Sequence, residues 1–337
     1  MVRHRRPDLR IGFFLHIPLP APEVFAQLPC RDDILRGILG ADVVGFQQSL
    51  STQNFLQLVR QRLRLQRSGN VVLVDGRQVV ADSFPISVDV DDVERLVRRE
   101  GVRRRTEQIR GELGGRRKIL LSVDRLDYTK GIEQRLSAYG ELLEEGKIRP
   151  EDAIFIQVGT VTREQVGQYA RLRQRVERLA GHLNGVYGRA GSPVVHYTNQ
   201  LPGVEELVAL YAAADIMLVT PLRDGMNLVA KEYVASRLDN SGVLILSEFA
   251  GSAAELAEAL IVNPNDADEL KQAVLVALSM SAAEQRRRMD AMRSHLRSHD
   301  LPTWANSFLK LLHRADVPPQ RIQRSDATTG RGLGPTL

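Results

Sequence analysis

From residue 118 onward, short runs of β-branched and large apolar residues alternate with longer stretches of helical periodicity, and nothing else in this 337-residue chain constrains its fold so strongly. The runs are KILLSV (118–123), AIFIQVG (153–159), VVHYTN (194–199), DIMLVTP (215–221) and GVLILSE (242–248). Amphipathic segments over 133–146, 162–182 and 203–214 lie between them. Strand, helix, strand in this rhythm predicts βαβ units and a parallel sheet covered on both faces. Further helices are expected over 266–280 and 282–296. The second opens with Ser281-Ala-Ala-Glu284, a spacing at which each side chain can satisfy the other's backbone amide. A last helix starts near Pro302, with Trp304 and Phe308 one turn apart and expected to pack as core.

Before residue 93 the pattern differs. RIGFFLHIP (10–18) reads as a strand, 31–39 as a helix, DVVGFQ (42–47) as a strand, 50–67 as a long Arg-studded helix, and QVVADSFPISV (78–88) as a strand and linker. That is about half of a Rossmann-like sheet, and a half sheet leaves an edge strand and an apolar face uncovered. The expected fold class is α/β: an incomplete Rossmann-like domain over 1–92, then a complete one with C-terminal helices over 93–313. The length suits two ordinary domains better than one very large one. Residues 314–337 lack periodicity and read as a disordered tail.

Composition narrows the function classes. Hydrophobic residues at 43% and charged residues at 26% fit a globular chain and exclude wholesale disorder. No apolar run approaches the roughly 20 residues that span a bilayer, so no membrane role is expected. The prolines and missing cleavage site of IGFFLHIPLP mark a strand and not a signal peptide. One cysteine, Cys30, leaves no disulfide framework and no CxxC zinc site, and it fits a reducing cytoplasm. Of the 46 basic residues 40 are Arg, but in VERLVRREGVRRRTEQIRGELGGRR (93–117) they alternate with Glu and Asp. Interleaving of that kind reads as a solvated helix surface before an anionic docking face, and it argues against a nucleic-acid stripe.

Three segments carry residues suited to chemistry. In VDRLDYTKGI (123–132) a strand ends and a loop presents Arg125 and Lys130 just before a helix. Ligands of parallel sheets bind at the carboxyl ends of strands, and two cations beside a helix N-terminus suit a phosphate or diphosphate. The same pair also reads as surface charge on a loop. In TPLRDGMNLVAKEYVASR (220–237) a strand runs into Arg-Asp-Gly, and a helix starts at about Asn227. Gly225 permits close backbone approach, and the amides of Met226 to Val229 can face an anion. Asp224 is placed for hydroxyls and Glu232, about one turn along, for a ribose diol. On spacing alone this segment reads equally well as a capped helix with Lys231 and Glu232 in water. In FFLHIPLP (13–20), His16 ends an apolar strand, either as a structural residue or as one facing a cleft toward a second domain.

Together and in this order, HIPLP, VDRLDYTKGI, TPLRDGMNLVAKEY and LSEFAGSAAEL closely resemble the trehalose-6-phosphate synthase family, from about residue 8 to about residue 313. The resemblance implies a GT-B-like fold with two facing Rossmann-like domains, the first on the acceptor side and the second binding the nucleotide sugar. It implies a retaining hexosyltransferase that moves glucose from a nucleotide-diphosphate glucose, UDP-glucose before others, to glucose 6-phosphate, making α,α-trehalose 6-phosphate. Residue by residue, it assigns Arg125 and Lys130 to the donor diphosphate, and Asp224, with Gly225, Met226 and Asn227 around it, to the transferred glucose. Leu228 and Val229 would offer amides to phosphate, Glu232 would take the ribose, and His16 would reach the donor sugar from the facing domain. Arg163 matches an arginine aimed at the acceptor phosphate, and the base is expected near Gln200, Leu201 and Pro202.

Asp224, Arg125, Lys130 and His16 form the expected catalytic set. The implied route is front-face: the leaving diphosphate itself deprotonates the incoming hydroxyl, and the cations stabilise the charge that develops on it. No cofactor and no metal is expected. The implied partners are donor and acceptor, with no nucleic acid and no membrane; the location is cytoplasmic and a homo-oligomer is left open. The chain departs from the family at HIPLP for the usual HIPFP, at Cys30 where a Trp commonly follows LP, and at Gln47 after VGF in place of a His. The family's N-terminal domain is also longer and opens with a glycine-rich loop. A truncated, catalytically weak nucleotide-sugar-binding protein therefore stays an alternative, as do glucosylglycerol-phosphate synthases and pseudo-glycosyltransferases, which share most of these motifs.

Overall fold

The computed structural model describes residues 2–160, 167–200 and 202–314, and the alternation resolves there into two sheets. The N-terminal part runs α1 (Val2–Arg5), β1 (Gly12–Leu15), α2 (Pro22–Phe25), α3 (Arg31–Ile38), β2 (Val43–Phe46), α4 (Ser49–Leu63), β3 (Arg67–Ser68), β4 (Val71–Val74) and β5 (Arg77–Ser83). Its five strands take the order β1-β2-β5-β4-β3. The first three run parallel, and β4 and β3 return antiparallel. Leu35, Phe46, Phe55 and Val79 belong to its core. Among the described residues β1 is an edge strand, with Gly12 and Phe13 exposed.

A short linker leads to α5 (Val90–Val97) and α6 (Glu100–Ile109), then to β6 (Lys118–Arg125), α7 (Ile132–Glu144), β7 (Ala153–Thr160), α8 (Gly167–Tyr187), β8 (Val195–Thr198) and α9 (Val204–Ala213). There follow β9 (Ile216–Val219), α10 (Leu228–Ser236), β10 (Val243–Ser247), β11 (Leu260–Val262), α11 (Ala267–Ser279), α12 (Ala282–Ser298) and α13 (Leu301–Arg314). The six strands are all parallel in the order β11-β10-β9-β6-β7-β8. β6 is buried from Ile119 to Asp124. Helices cover both of its faces, which is why it reads as a continuous apolar run and not an alternation. Leu121 and Ile156 pack with residues of α5, α6, α9, α10 and α12 on one face, and Leu120 and Phe155 with α7, α8 and α11 on the other.

The structure corrects several local expectations. The helix expected over 50–67 stops at Leu63, where Arg64 takes a left-handed backbone at φ 55°, and the chain turns into the β3–β4–β5 meander. Asp75 and Gly76 both have positive φ, the geometry of a two-residue hairpin turn, and Asp-Gly was the local signal for it. The stretch 93–117 is two helices broken after Val97, and its arginines are partly engaged: Arg105 grips Glu206 through two bonds of 2.8 and 2.9 Å. β11 had no counterpart in the sequence reading. At the start of α12, Ser281 accepts from the Glu284 amide at 3.3 Å, but the Glu284 carboxylate turns to Arg287 and Arg288, whose charged donors outcompete a backbone amide. Trp304 and Phe308 are half-buried, and they pack on the first sheet: Phe308 faces Phe14 and Phe84, and Trp304 donates its indole N–H to the Phe84 carbonyl at 3.0 Å. The tail expected beyond Arg314 lies outside the described residues.

Candidate active site

Two loops meet at the carboxyl ends of β6 and β9. These strands are neighbours at the point where the winding of the sheet reverses, which opens a crevice there. β6 ends at Arg125, and the loop after it carries Asp127, Lys130 and Gly131; β9 ends at Val219, and its loop carries Thr220 and Asp224 to Asn227. Gly131, at φ 64°, lets the loops touch: a Cβ there would lie 2.1 Å from the Thr220 carbonyl oxygen. The Leu222 amide donates to the Thr129 carbonyl at 2.7 Å.

Beneath this contact lies Arg135, 1% exposed. Its guanidinium donates to Asp124 (2.5 Å), Gln157 (3.0 Å), the Lys130 carbonyl (2.8 Å) and the Thr220 hydroxyl (3.2 Å). One side chain thus holds both loops and two strands. Burial pushes the Asp124 carboxyl up and the Arg135 guanidinium down, and their mutual attraction opposes both shifts.

Above it, Lys130 Nζ lies 2.6 Å from Asp224 Oδ2. Asp224 also accepts from Asn227 Nδ2 at 3.2 Å and from the Met226 amide at 3.3 Å. Asn227, in the left-handed region at φ 72°, caps α10 by accepting from the Ala230 amide at 3.1 Å. Leu228 and Val229 begin that helix, so their amides precede the point where the helix can satisfy its own donors. Arg125 is exposed and has no side-chain partner among the described residues.

Further along α10, Glu232 accepts from the Tyr211 hydroxyl at 2.9 Å, and burial raises its carboxyl above the usual range. Lys231 is 1% exposed and pairs with Glu255 at 2.7 Å. Neither side chain stands in water as a simple capped helix would have them. From the other sheet, the residues after β1 reach this point. A Cβ on Gly225 would lie 2.5 Å from the His16 carbonyl oxygen and 3.0 Å from Pro18. The two sheets therefore touch at Gly225, with the His16 ring exposed beside Phe14. The loop after β10 backs the same residue: a Cβ on Gly251 would lie 2.1 Å from the Gly225 carbonyl oxygen, and the Ser252 amide donates to Met226 at 2.7 Å.

The structure thus brings Lys130, Asp224, Gly225, Met226 and Asn227 together and sets Leu228, Val229, Glu232, Arg125 and His16 on elements that border them. Gln200 and Pro202 line a cavity of about 220 Å³ with Arg105, His196 and Thr198. Arg163 and Leu201 lie outside the described residues. Sequence reading missed Asp124, Arg135, Gln157, Tyr211 and the burial of Lys231. The one signal for Arg135 is its place beside Ile132, Leu136 and Tyr139 on the apolar stripe of α7, where an arginine is buried only when paired. Among the described residues no three His, Cys, Asp or Glu side chains are grouped so as to hold a metal ion, and no helix is long and apolar enough to cross a membrane.

Two α/β units meeting at strand ends, with a helix start and paired charges at the seam, make a GT-B-type fold. Residues 1–314 match glycosyltransferase family 20, and the chain belongs to that family. It is 50% identical over 321 residues to the trehalose-6-phosphate synthase of Mycobacterium avium (strain 104), a match covering 93% of this chain and 65% of that protein. The chain thus spans just under two thirds of the length of that curated relative. Among solved structures it resembles the UDP-forming α,α-trehalose-phosphate synthase of Burkholderia vietnamiensis, with a TM-score of 0.87 and 37% identity, over 93% of this chain and 71% of that one. The corresponding synthase of Burkholderia xenovorans in complex with glucose-6-phosphate gives a TM-score of 0.87 and 35% identity, over 93% of this chain and 70% of that one.

Proposed function

We propose that the chain transfers glucose from UDP-glucose to glucose 6-phosphate with retention, forming α,α-trehalose 6-phosphate and UDP. The observation that carries this reading is the Lys130–Asp224 pair, held at 2.6 Å beside the start of α10 and under the contact of the two sheets at Gly225. The likeness to two UDP-forming synthases, one of them in complex with glucose-6-phosphate, supports the choice of donor and acceptor.

In this reading the first sheet and its helices form the acceptor-side domain, and the second unit, from α5 onward, binds the nucleotide sugar. The Lys130 ammonium has three N–H donors; one meets Asp224, and the others turn with Arg125 toward the donor diphosphate. The amides of Leu228 and Val229 meet the same charge, and Glu232 takes the ribose. Asp224 holds glucose hydroxyls among Gly225, Met226 and Asn227, while His16 closes on that sugar from the facing sheet and Arg163 takes the acceptor phosphate. As the bond from glucose C1 to the diphosphate oxygen breaks, that oxygen takes the proton of the acceptor hydroxyl. The new C1–O bond forms on the same face, which retains configuration. Arg125 and Lys130 stabilise the charge that grows on the leaving group. A cytoplasmic location is part of this reading and is supported by the single, exposed Cys30.

The test is UDP release by purified protein given UDP-glucose with and without glucose 6-phosphate, with the anomeric configuration of the product read by NMR. Release that depends on the acceptor and falls in Lys130→Ala and Asp224→Asn supports the reading. Release that ignores the acceptor, or survives both substitutions unchanged, overturns it.

A further inference from the structure

The two sheets are joined between β5 and α5 by residues 84–89. The backbone of this linker is gripped from several sides. The Phe84 amide donates to the Phe46 carbonyl at 2.7 Å, and the Ile86 amide donates to Gln47 Oε1 at 3.2 Å, both on the first sheet's side. Trp304 of α13 holds the Phe84 carbonyl at 3.0 Å. The Ile86 carbonyl accepts instead from Lys231 Nζ at 2.6 Å, a residue of α10 in the second unit.

Lys231 is 1% exposed, and its ammonium also pairs with Glu255 at 2.7 Å. Glu255 follows the turn Gly251–Ala254 that backs Gly225, and His295 of α12 stands 3.8 Å from its other oxygen. A buried lysine is costly to desolvate unless fully engaged, and the best-attested use of such a buried charge is to set registry. Here its bonds run to the linker and to the loop behind the seam between the sheets.

We propose that Lys231 is a positioning residue that fixes the angle between the two sheets, tying the donor-site helix to the linker that leaves the first sheet. The inference rests on reading the 220–232 segment as the donor site. His16 and Asp224 belong to different sheets, so the grip on the glucose depends on that angle. The residues assigned to the nucleotide (Arg125, Lys130, Leu228, Val229 and Glu232) all belong to the second unit and do not depend on it. Small misplacements of facing groups are enough to lose function.

The test uses the whole chain as Lys231→Met, and as Lys231→Met combined with Glu255→Gln, which leaves no buried carboxylate unpaired. Calorimetry measures UDP and UDP-glucose affinity, and small-angle X-ray scattering measures the radius of gyration. The expected result is UDP affinity within about twofold of wild type, an advantage of UDP-glucose over UDP reduced about tenfold, and a larger radius in both variants. A merely structural lysine would lower thermal stability and weaken both ligands alike, which overturns the proposal. An unchanged glucose advantage with an unchanged radius overturns it as well. If wild type itself shows no preference for UDP-glucose, the donor-site reading fails, and the change in radius alone decides the strut.

Discussion

The Lys130–Asp224 pair joins the two loops and the Arg135–Asp124 pair ties α7 to β6 beneath them, at 2.6 and 2.5 Å, yet both side chains of the first are 14% exposed while those of the second are 0% and 5% exposed. Burial separates their work. In the lower pair Arg135 also donates to Gln157, Thr220 and the Lys130 carbonyl, so its guanidinium works inside the protein. The upper pair borders the crevice, and its ammonium keeps donors for an anion. The same chemistry is therefore a clamp where it is buried and, in the proposed donor site, a binding group where it borders the crevice.

The largest expected effect tests the clamp. Arg135→Met strands a buried carboxylate and should cost about 3–5 kcal/mol of folding stability, measured by urea unfolding. Adding Asp124→Leu should restore most of that loss, since a paired removal leaves no unsatisfied charge. A cost for Arg135→Met no larger than that of Lys130→Met would erase the contrast between the pairs.

Next comes the binding pair. Replacing Arg125 and Lys130 together by Ala should weaken UDP binding by about 2–5 kcal/mol in calorimetry. Stability should change by about 1 kcal/mol or less, as for ion pairs that water reaches. Unchanged UDP affinity would remove these two residues from the diphosphate.

A finer test concerns Asp224. Asp224→Asn should lower UDP-glucose affinity about tenfold more than UDP affinity, because in the proposed donor site only the sugar meets that carboxylate. Equal losses for both ligands would make Asp224 a local brace of the loop, like Asp124 below it.

The smallest effect is one of pH. Burial raises the Glu232 carboxyl above its unfolded value. A raised carboxyl contributes stability that is fully present below the unfolded carboxylate range and is lost as pH rises through the folded value. Glu232→Gln removes that loss while keeping an acceptor for the Tyr211 hydroxyl. The variant should thus gain slightly on wild type in unfolding experiments at pH 7, and the gain should vanish near pH 4. A gain that is the same at both pH values would mean the carboxyl is not held up by burial.

Much of the second unit was legible along the chain. Strands such as β6 and β7 are covered on both faces, so most positions are apolar and the run announces itself, while the few polar ones, Ser122, Asp124 and Gln157, are buried with it. The 220–232 segment drew notice through Gly225 and Asn227, which the structure sets against His16 and at φ 72°, but spacing alone read it equally well as a capped helix and the family resemblance decided between the two. The β3–β4 hairpin was missed because its strands are only two and four residues long, too short for a periodicity to mark them. The role of α13 was missed for a different reason. Its apolar residues face a sheet built some 220 positions earlier in the chain, as the Trp304–Phe84 bond shows, and no local pattern encodes an address.

The sequence by itself determined the alternation of strand and helix, the crevice at the strand ends, and which polar residues border it, because hydrophobic periodicity and backbone preference act over neighbouring residues. Only the tertiary structure decided which partners the charged side chains meet. Lys130 meets Asp224 across 94 positions, Arg135 meets Thr220 across 85, and Lys231 meets Ile86 across 145. A charged side chain finds its partner by the depth and direction its strand or helix acquires in packing, and burial then decides whether the pair can meet a ligand or only hold the loops in place.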